Sequence, residues 1–232
     1  MILLALDSTE NTATVALTRD RELLGQATLR AGLTHSETLL PLLETLRQGA
    51  RLTYDDIDAF VTSAGPGSFT GVRIGAATVK GLAFAQNKPC LGVSACEALA
   101  YNLIGFDGLA VAVMDARRGQ LYNAVFAVEN GVLHRLTPDR VIAADALAEE
   151  LRAYAQPIRF AGGGYAIARA AAEDLSNVCD TPELLRHQNA YSTALAGLAL
   201  IESGADLEAF TDRALSPVYL RPSQAERTRN GG

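Results

Sequence analysis

The first 30 residues alternate between short apolar runs and polar pairs, a pattern that predicts three strands. An apolar run covers Ile2–Asp7, and alternating apolar positions follow in Thr12–Arg19 and Glu22–Leu29. The polar pair Asp20-Arg21 between the last two segments is typical of a tight turn. We therefore expect an antiparallel meander at the start of the chain.

Helical spacing of apolar residues replaces this alternation in the next part of the chain. Leucines recur at helical spacing in Thr34–Arg47, which predicts an amphipathic helix with Pro41 at its bend or before its start. Small and apolar residues fill Phe69–Gln86, which predicts a second, longer helix. The remaining elements of this half are strands over Ala59–Ser63 and Pro89–Val93 and a helix over Ser94–Asn102.

The same order of elements repeats in the second half. Leu109–Asp115 matches Ile2–Asp7, and the two aspartates that end these strands are 108 residues apart. Ala161–Gly164 likewise matches Ala64–Gly67. The other predicted elements of this half are strands over Gln120–Val128, Pro157–Phe160 and Asn177–Cys179 and helices over Asp145–Tyr154, Tyr165–Leu175 and Ala190–Ser203.

This duplication predicts an α/β protein of two lobes, each with a mixed sheet flanked by helices. The N-terminal lobe is expected at residues 1–103 and the C-terminal lobe at residues 104–221, with its last segment packed back on the first lobe. Residues 222–232 have no apolar period and are expected to form a frayed tail.

Composition and charge exclude several classes of protein. Of the 232 residues, 49% are hydrophobic and 20% are charged, which excludes an intrinsically disordered chain. The net charge of −6 excludes a basic surface over the whole fold, of the kind that holds nucleic acid. The N-terminus lacks a basic signal-peptide region, and no apolar run reaches the roughly 18 residues that predict a membrane span. Cys90, Cys96 and Cys179 are expected to be reduced thiols of a cytoplasmic protein.

Three groups of residues could hold a phosphate or its magnesium ion. Aspartate, serine and threonine are also favoured turn residues that bond their own backbone, and a glycine run is also a plain tight turn. A pair of arginines can grip phosphate or form a salt bridge with a partner protein. The residues themselves leave these alternatives open. The candidates are Asp7, Ser8 and Thr9 after the first strand, Asp115, Arg117 and Arg118 at the matching place in the second lobe, and Gly162, Gly163 and Gly164.

The segment Gly65–Gly75 follows a predicted strand and opens a predicted helix, where free backbone N–H groups could bind an anion. It lacks the Lys-Ser/Thr pair of a Walker A loop and the third glycine of the dinucleotide-binding fingerprint. We therefore interpret its glycines as packing residues. His35, His134 and His187 share no metal-ligand spacing, so no metal site is predicted.

Two similar lobes that each open with a strand ending in aspartate resemble the actin, sugar kinase and Hsp70 superfamily. In that superfamily, aspartate-bearing hairpins hold Mg-phosphate and a glycine-rich turn of the second lobe holds adenosine. The resemblance implies an alternative function, an actin-fold ATPase or small-molecule kinase that uses Asp7, Asp115 and Gly162–Gly164. Architecture alone does not establish that activity.

Four motifs in the same order carry a more specific resemblance that covers nearly the whole chain. They are Leu4–Thr9, Thr34–Glu37 with the following Leu39–Pro41, Ser63–Gly75 and Met114–Gly119. Together they resemble the bacterial TsaB (YeaZ) family, the non-catalytic partners in making threonylcarbamoyladenosine next to the tRNA anticodon. The resemblance implies a duplicated actin-like (ASKHA, RNase H-like) fold and a scaffold or activator rather than an enzyme.

The resemblance also implies partners. Family members form a heterodimer with TsaD, the paralogue that transfers threonylcarbamoyl, work with the ATPase TsaE, and form a homodimer when isolated. Contact with tRNA is expected only through the complex, no membrane is involved, and no cofactor is expected beyond ATP or ADP at a complex interface. The partner surface is expected on the helices Thr34–Arg47 and Phe69–Gln86, although their leucines also suit the core of the lobe. Its residues are His35, Leu39, Leu42, Leu43, Leu46, Gly71, Arg73, Gly75 and Ala76.

Comparison with TsaD implies that the metal site is missing. TsaD carries two metal-ligand histidines four residues apart on one helical face, and the aligned positions here are Ala95 and Leu99. Neither side chain can coordinate a metal ion. This argues against threonylcarbamoyl transfer and against metalloprotease activity by this chain.

Overall fold

The structure, a computed structural model that describes residues 1–221, contains two mixed β-sheets. In the first sheet, the central strand pairs antiparallel with the strand that follows it and parallel with a later strand. This sheet consists of β1 (Ile2–Asp7), β2 (Ala13–Arg19), β3 (Glu22–Leu29), β4 (Ala59–Gly65) and β5 (Cys90–Ser94), and its spatial order is β3-β2-β1-β4-β5.

The second sheet repeats this arrangement. Its strands are β6 (Gly108–Asp115), β7 (Gln120–Glu129), β8 (Val132–Arg135), β9 (Arg140–Ala143) and β10 (Ile158–Ala161). Strand β6 pairs antiparallel with β7 and parallel with β10, as β1 does with β2 and β4. The predicted α/β fold with a mixed sheet in each half is confirmed.

The α-helices within residues 1–221 are α1 (His35–Gly49), α2 (Phe69–Gln86), α3 (Ala95–Tyr101), α4 (Ala144–Leu151), α5 (Tyr165–Ala171) and α6 (Ala190–Glu202). Helix α1 includes Pro41 and does not start late. The bounds predicted for α2 are confirmed. It begins after Ser68, whose side chain accepts a hydrogen bond from the Gly71 N–H, and ends before Asn87, which has a left-handed backbone conformation.

Strands β8 and β9 have no counterpart among the predicted elements. Both are four residues long, pair with β7, and consist of half-buried and exposed residues. Their apolar alternation is therefore too weak to mark a strand without the partner strand. The strand predicted at Asn177–Cys179 is instead a single bridge between Val178 and Ile158. Helix α5 ends at Ala171, four residues before its predicted end.

Both faces of each central strand are covered by helices. In β1, Leu4 lies in a core cluster with residues of α1 and α2, whereas Leu3 faces residues of α6. In β6, Val111 lies in a cluster with residues of α4 and α5, whereas Ala112 faces α3. Burial on both faces explains why these two strands are continuous apolar runs rather than alternating ones.

The two halves of the chain exchange a helix. Helix α3 follows the first sheet in the chain, but its Leu99 packs in a cluster with Met114 and Phe126 of the second sheet. Helix α6 follows the second sheet, but its Ala194 packs in a cluster with Leu3 and Val61 of the first. Helix α3 thus lies within residues 1–103 and packs on the second sheet, while its Tyr101 lies in the cluster of the first sheet. The lobe bounds of 1–103 and 104–221 stay predictions.

None of the helices within residues 1–221 is both long and apolar enough to cross a membrane. All three cysteines are free thiols; Cys90 and Cys96 are buried, and Cys179 is half-buried. Burial raises the pKa of the Cys90 thiol to about 11 and that of Cys96 well above its ordinary value. Both buried thiols are therefore protonated and unreactive at neutral pH. The tail predicted at residues 222–232 lies outside the described residues.

A matched pair of glycine substitutions tests the exchanged packing of α6. A Cβ on Gly197 would lie 2.7 Å from a methyl carbon of Val61, whereas nothing lies within 4 Å of a Cβ on Gly81 of α2. Because Val61 is a stiff β-branched residue, we expect Gly197→Ala to lower the free energy of unfolding by about 1 to 3 kcal/mol. Gly81→Ala should raise it by about 0.5 to 1 kcal/mol, because alanine is the better helix former. Urea unfolding measures both changes, and a stabilised Gly197→Ala variant would contradict the packing of α6 on the first sheet.

Candidate functional site

The turns that follow β1 and β6 border the same cleft between the lobes. A cavity of about 410 Å³ lies in this cleft, with walls from the β1–β2 turn, the start of α2, the β6–β7 turn, the glycine-rich turn after β10 and residues 218–221. Its lining includes Glu10, Asp115, Arg117, Gly163, Tyr219 and Arg221. The structure therefore brings three of the predicted phosphate-binding residues, Asp115, Arg117 and Gly163, to one cavity.

Asp7 is directed into the protein rather than into this cavity, and it is 1% exposed. One carboxylate oxygen accepts hydrogen bonds from the Thr9 backbone N–H at 2.8 Å and from the Thr9 hydroxyl at 2.7 Å. The other accepts from the Ser63 hydroxyl at 2.5 Å. Burial raises the pKa of Asp7, and the hydrogen bonds from Ser63 and Thr9 offset part of that rise. These bonds attach the β1–β2 turn to β4.

Ser8 attaches the same turn to α2. Its hydroxyl donates a hydrogen bond to the Gly71 carbonyl at 2.9 Å. A Cβ on Gly71 would lie 2.0 Å from the Ser8 carbonyl oxygen, and a Cβ on Gly75 would lie 2.7 Å from the Ser8 hydroxyl oxygen. These two glycines allow α2 to approach the turn closely, which confirms their interpretation as packing residues.

In the β6–β7 turn, Asp115 is bound by a neighbouring residue. Its carboxylate accepts hydrogen bonds from the Arg117 backbone N–H at 2.7 Å and from the Arg117 guanidinium at 3.1 Å. Arg117 and Arg118 have left-handed backbone conformations, with φ of 68° and 58°, and both are exposed. Phosphate binding by these residues, and by the buried Asp7, Ser8 and Thr9, stays a prediction.

The glycine-rich turn after β10 is attached to β6. A Cβ on Gly162, whose φ is +126°, would lie 2.0 Å from the Val113 carbonyl oxygen. The same oxygen accepts a hydrogen bond from the Gly164 N–H at 3.0 Å. The N–H of Gly163 points across the cleft instead and donates to the Glu10 carboxylate at 2.8 Å. The sequence does not predict this contact between Glu10 and Gly163, because only the tertiary structure brings the two turns together.

The last described segment, residues 215–221, also belongs to the cleft, although no periodic pattern marks it. Its Val218 N–H donates to the Ala64 carbonyl at the end of β4, at 2.7 Å. Tyr219 packs against Phe69 of α2, with 4.8 Å between ring centroids. Arg221 donates hydrogen bonds to the β6–β7 turn. The segment thus joins α2 of the first lobe to a turn of the second.

Most of the residues expected at a partner surface are buried inside the first lobe, and their contact with a partner stays a prediction. Leu39 and Leu43 are each 1% exposed, because they belong to the stripe of α1 that faces its own sheet. Leu42 and Leu46 are half-buried against the same core. Gly71, Gly75 and Ala76 are buried on the inner face of α2.

The other two expected partner residues make contacts near the cleft. The Arg73 side chain is exposed, and its Nε donates to the Tyr219 hydroxyl at 2.9 Å. The Nε2 atom of His35 lies 2.7 Å from the Glu10 carbonyl oxygen. The large apolar side chains that α1 and α2 do expose are Leu40, at 48%, and Phe84, at 75%.

Within residues 1–221, no three His, Cys, Asp or Glu side chains are placed to hold a metal ion. Ala95 and Leu99, which the resemblance implies stand at the metal-ligand positions, are 0% and 1% exposed in the core between α3 and the second sheet. His134 is exposed on β8, and Nε2 of His187 lies 3.1 Å from a Glu183 carboxylate oxygen.

Comparison with known sequences gives matches over most of the chain. The family model for TsaD, described as tRNA N6-adenosine threonylcarbamoyltransferase, matches residues 29–227. The tRNA threonylcarbamoyladenosine biosynthesis protein TsaB of Bacillus subtilis is 33% identical over 97% of this chain and 96% of its own length. The protein of the same name from Escherichia coli is 31% identical over 66% of this chain and 67% of its own length.

Solved structures show the same fold. YeaZ from Pseudomonas aeruginosa superposes with a TM-score of 0.79 and 28% identity, over 94% of this chain and 99% of that protein. Component A of (R)-2-hydroxyglutaryl-CoA dehydratase from Acidaminococcus fermentans has a TM-score of 0.53 at 11% identity, over 89% of this chain and 100% of that protein. The second likeness shows the fold alone.

The burial of Asp7 makes its contribution to the free energy of unfolding depend on pH. Because burial raises the pKa of Asp7 above its ordinary value of 3.8, the folded state holds that proton more tightly than the unfolded state. The contribution of Asp7 to the free energy of unfolding therefore falls as the pH rises from about 4, by at most about 1.4 kcal/mol per pH unit. Asp7→Asn removes this contribution. The free energy of unfolding of the wild type minus that of the variant should therefore decrease with rising pH.

Urea unfolding of wild type and Asp7→Asn at a series of pH values measures this difference. The contributions of the other carboxyl groups cancel because both proteins contain them. Asp55→Asn, which changes an exposed carboxylate rather than a buried one, is the matched control. A wild type minus Asp7→Asn difference that grows with pH would contradict the prediction.

Proposed function

Since the chain belongs to the TsaB (YeaZ) family of tRNA threonylcarbamoyladenosine biosynthesis proteins, we propose that it is a non-catalytic scaffold or activator subunit. It supports the transfer of threonylcarbamoyl to N6 of the adenosine next to the tRNA anticodon. The transferase is TsaD, TsaE is the third member of the complex, and the complex works in the cytoplasm.

The observation that carries this proposal is that the groups suited to bind phosphate serve the chain's own turns. The Asp7 carboxylate is surrounded by hydroxyl and N–H donors, and Asp115 is bound by Arg117. The Gly163 N–H binds Glu10. A kinase or ATPase needs such groups directed at the nucleotide and its metal ion, where charge develops during phosphoryl transfer. The arrangement supports a scaffold over an actin-fold ATPase or small-molecule kinase.

The surface for TsaD lies on the outer faces of α1 and α2, which cover the same side of the first sheet. These faces expose Leu40 and Phe84, together with the smaller apolar residues Pro41 and Ala77. The TsaD family model matches residues 29–227, so TsaD has counterparts of both helices. Two such helix pairs can pack as related copies do in a dimer. A second copy of this chain takes the same surface when TsaD is absent.

Binding at this surface can activate TsaD without supplying a catalytic group. A subunit that binds one lobe arrangement of TsaD more tightly than another multiplies the equilibrium constant between the two arrangements, at saturation, by the ratio of its two affinities. Contact with tRNA comes through the complex, because a chain with net charge −6 has little attraction of its own for the phosphate backbone.

Reconstitution tests the scaffold role. TsaD, TsaE and tRNA are supplied with threonylcarbamoyl-adenylate, with and without this chain, and the modified adenosine is quantified. We expect modification to depend on the chain. Asp7→Asn should support modification as the wild type does, because Asp7 binds Thr9 and Ser63 of its own chain rather than a nucleotide. Magnesium-dependent ATP hydrolysis by the pure chain that Asp7→Asn abolishes would contradict the proposal and favour the kinase or ATPase.

A pair of leucine substitutions tests the TsaD surface. Leu40 is 48% exposed on α1, and Leu184, which lies in a short 3-10 helix of the second half, is 85% exposed. Leu40→Glu places a charge in an apolar contact, so it should weaken TsaD binding about tenfold or more without unfolding the chain. Leu184→Glu makes the same change away from α1 and α2 and should leave binding unchanged. Calorimetric titration of TsaD measures both, and equal affinities for the two variants would place the interface elsewhere.

A further inference from the structure

Glu10 crosses the cleft between the lobes. It belongs to the β1–β2 turn of the first lobe, and its carboxylate accepts a hydrogen bond from the Gly163 N–H at 2.8 Å. It also accepts a short hydrogen bond from the Gln188 side-chain amide. Gly163 follows β10, and Gln188 lies just before α6, so both donors come from the part of the chain after the first sheet.

The backbone at Gly163 is fitted to this carboxylate. A Cβ on Gly163 would lie 2.5 Å from one Glu10 carboxylate oxygen and 2.9 Å from the carboxylate carbon. The φ of Gly163 is not positive, so close contact with Glu10, rather than backbone conformation, is what favours glycine here. The site is therefore a cradle shaped around a planar oxyanion.

The first lobe holds Glu10 in place from its own side. The backbone of the preceding residue, Thr9, accepts a hydrogen bond from the Ser68 N–H at 2.7 Å. The Glu10 carbonyl oxygen lies 2.7 Å from Nε2 of His35. The carboxylate is thus presented across the cleft by a turn that is fixed at its backbone.

The cradle is built from neutral donors. Within residues 1–221, Glu10 forms no ion pair, although Arg117 and Arg221 line the same cavity. Asp7, in the same turn, adds negative charge beside Glu10. Burial raises the pKa of Glu10, and hydrogen bonds from Gln188 and Gly163 offset part of that rise. An N–H and an amide that converge on one carboxylate form an anion site of the kind that also takes small free oxyanions.

We propose that the Gly163 N–H and the Gln188 amide form an oxyanion-binding cradle in the second lobe, and that the chain's own Glu10 carboxylate occupies it and clasps the two lobes together. A small external carboxylate takes the cradle when Glu10 is removed. The clasp concerns this chain's own conformation, so it stands or fails independently of the scaffold role.

Chemical rescue tests the cradle. Glu10→Ala leaves both donors without their acceptor and should lower the Tm by about 4 to 8 °C. About 0.2 M sodium formate should restore at least about 2 °C of that loss relative to the same concentration of sodium chloride. Wild type and Glu10→Gln, whose amide oxygen still accepts from Gly163, should not respond to formate.

A second variant separates the cradle from a general loss of stability. Gly163→Ala fills the cradle with a methyl group, so it should lower the Tm of wild type but change little in the Glu10→Ala background. The double variant should also lose the formate response. Hydrogen exchange at the Gly163 amide should be slow in wild type, faster in Glu10→Ala, and slowed again by formate.

Three results would overturn the proposal: a Glu10→Ala variant with unchanged Tm, a formate response equal in wild type and Glu10→Ala, or an additive loss in the double variant. Each of them would mean that Glu10 rests against the turn without occupying an anion site.

Discussion

The covering of β1 and β6 by helices on both faces is the constraint on which the rest of the structure depends. A strand that is apolar on both faces must be buried between two layers, and each half of the chain supplies only one complete layer to its own sheet. The missing layer comes from the other half, as α6 on the first sheet and α3 on the second. This exchange joins the lobes through their cores and brings the turns after the two central strands to one cleft.

The polar groups of those turns are then partly withdrawn from water, and buried polar groups must find hydrogen-bond partners. Here the partners are the chain's own atoms: Thr9 and Ser63 for Asp7, Arg117 for Asp115, and Glu10 for the N–H of Gly163. Groups suited to bind phosphate that are engaged by the chain's own atoms in this way fit the scaffold role proposed above. This internal pairing supports the proposed scaffold role.

The proposed partner surface is the part of α1 and α2 that the first lobe leaves uncovered. Helices α1 and α2 use Leu39, Leu43 and the glycine stripe to cover their own sheet. Their outer faces still expose Leu40 and Phe84. Burying these large apolar side chains is favourable, and in the folded chain only another molecule can bury them. The same helices thus provide both core and surface, and the position of a leucine around the helix axis determines whether it is buried or exposed.

The sequence alone determined the two mixed sheets, the bounds of α2 and the packing role of its glycines, because these depend on local periodicity and on residues close in the chain. It also identified the family through the order of its motifs. The tertiary structure decided the rest: the exchange of α3 and α6, the edge strands β8 and β9, and the position of Glu10 against Gly163. The apolar residues of a helix predict that one of its faces is buried, but they do not predict which sheet covers that face. Contacts between residues more than 150 positions apart, such as Glu10 and Gln188, leave no periodic signal because they exist only once the lobes have packed.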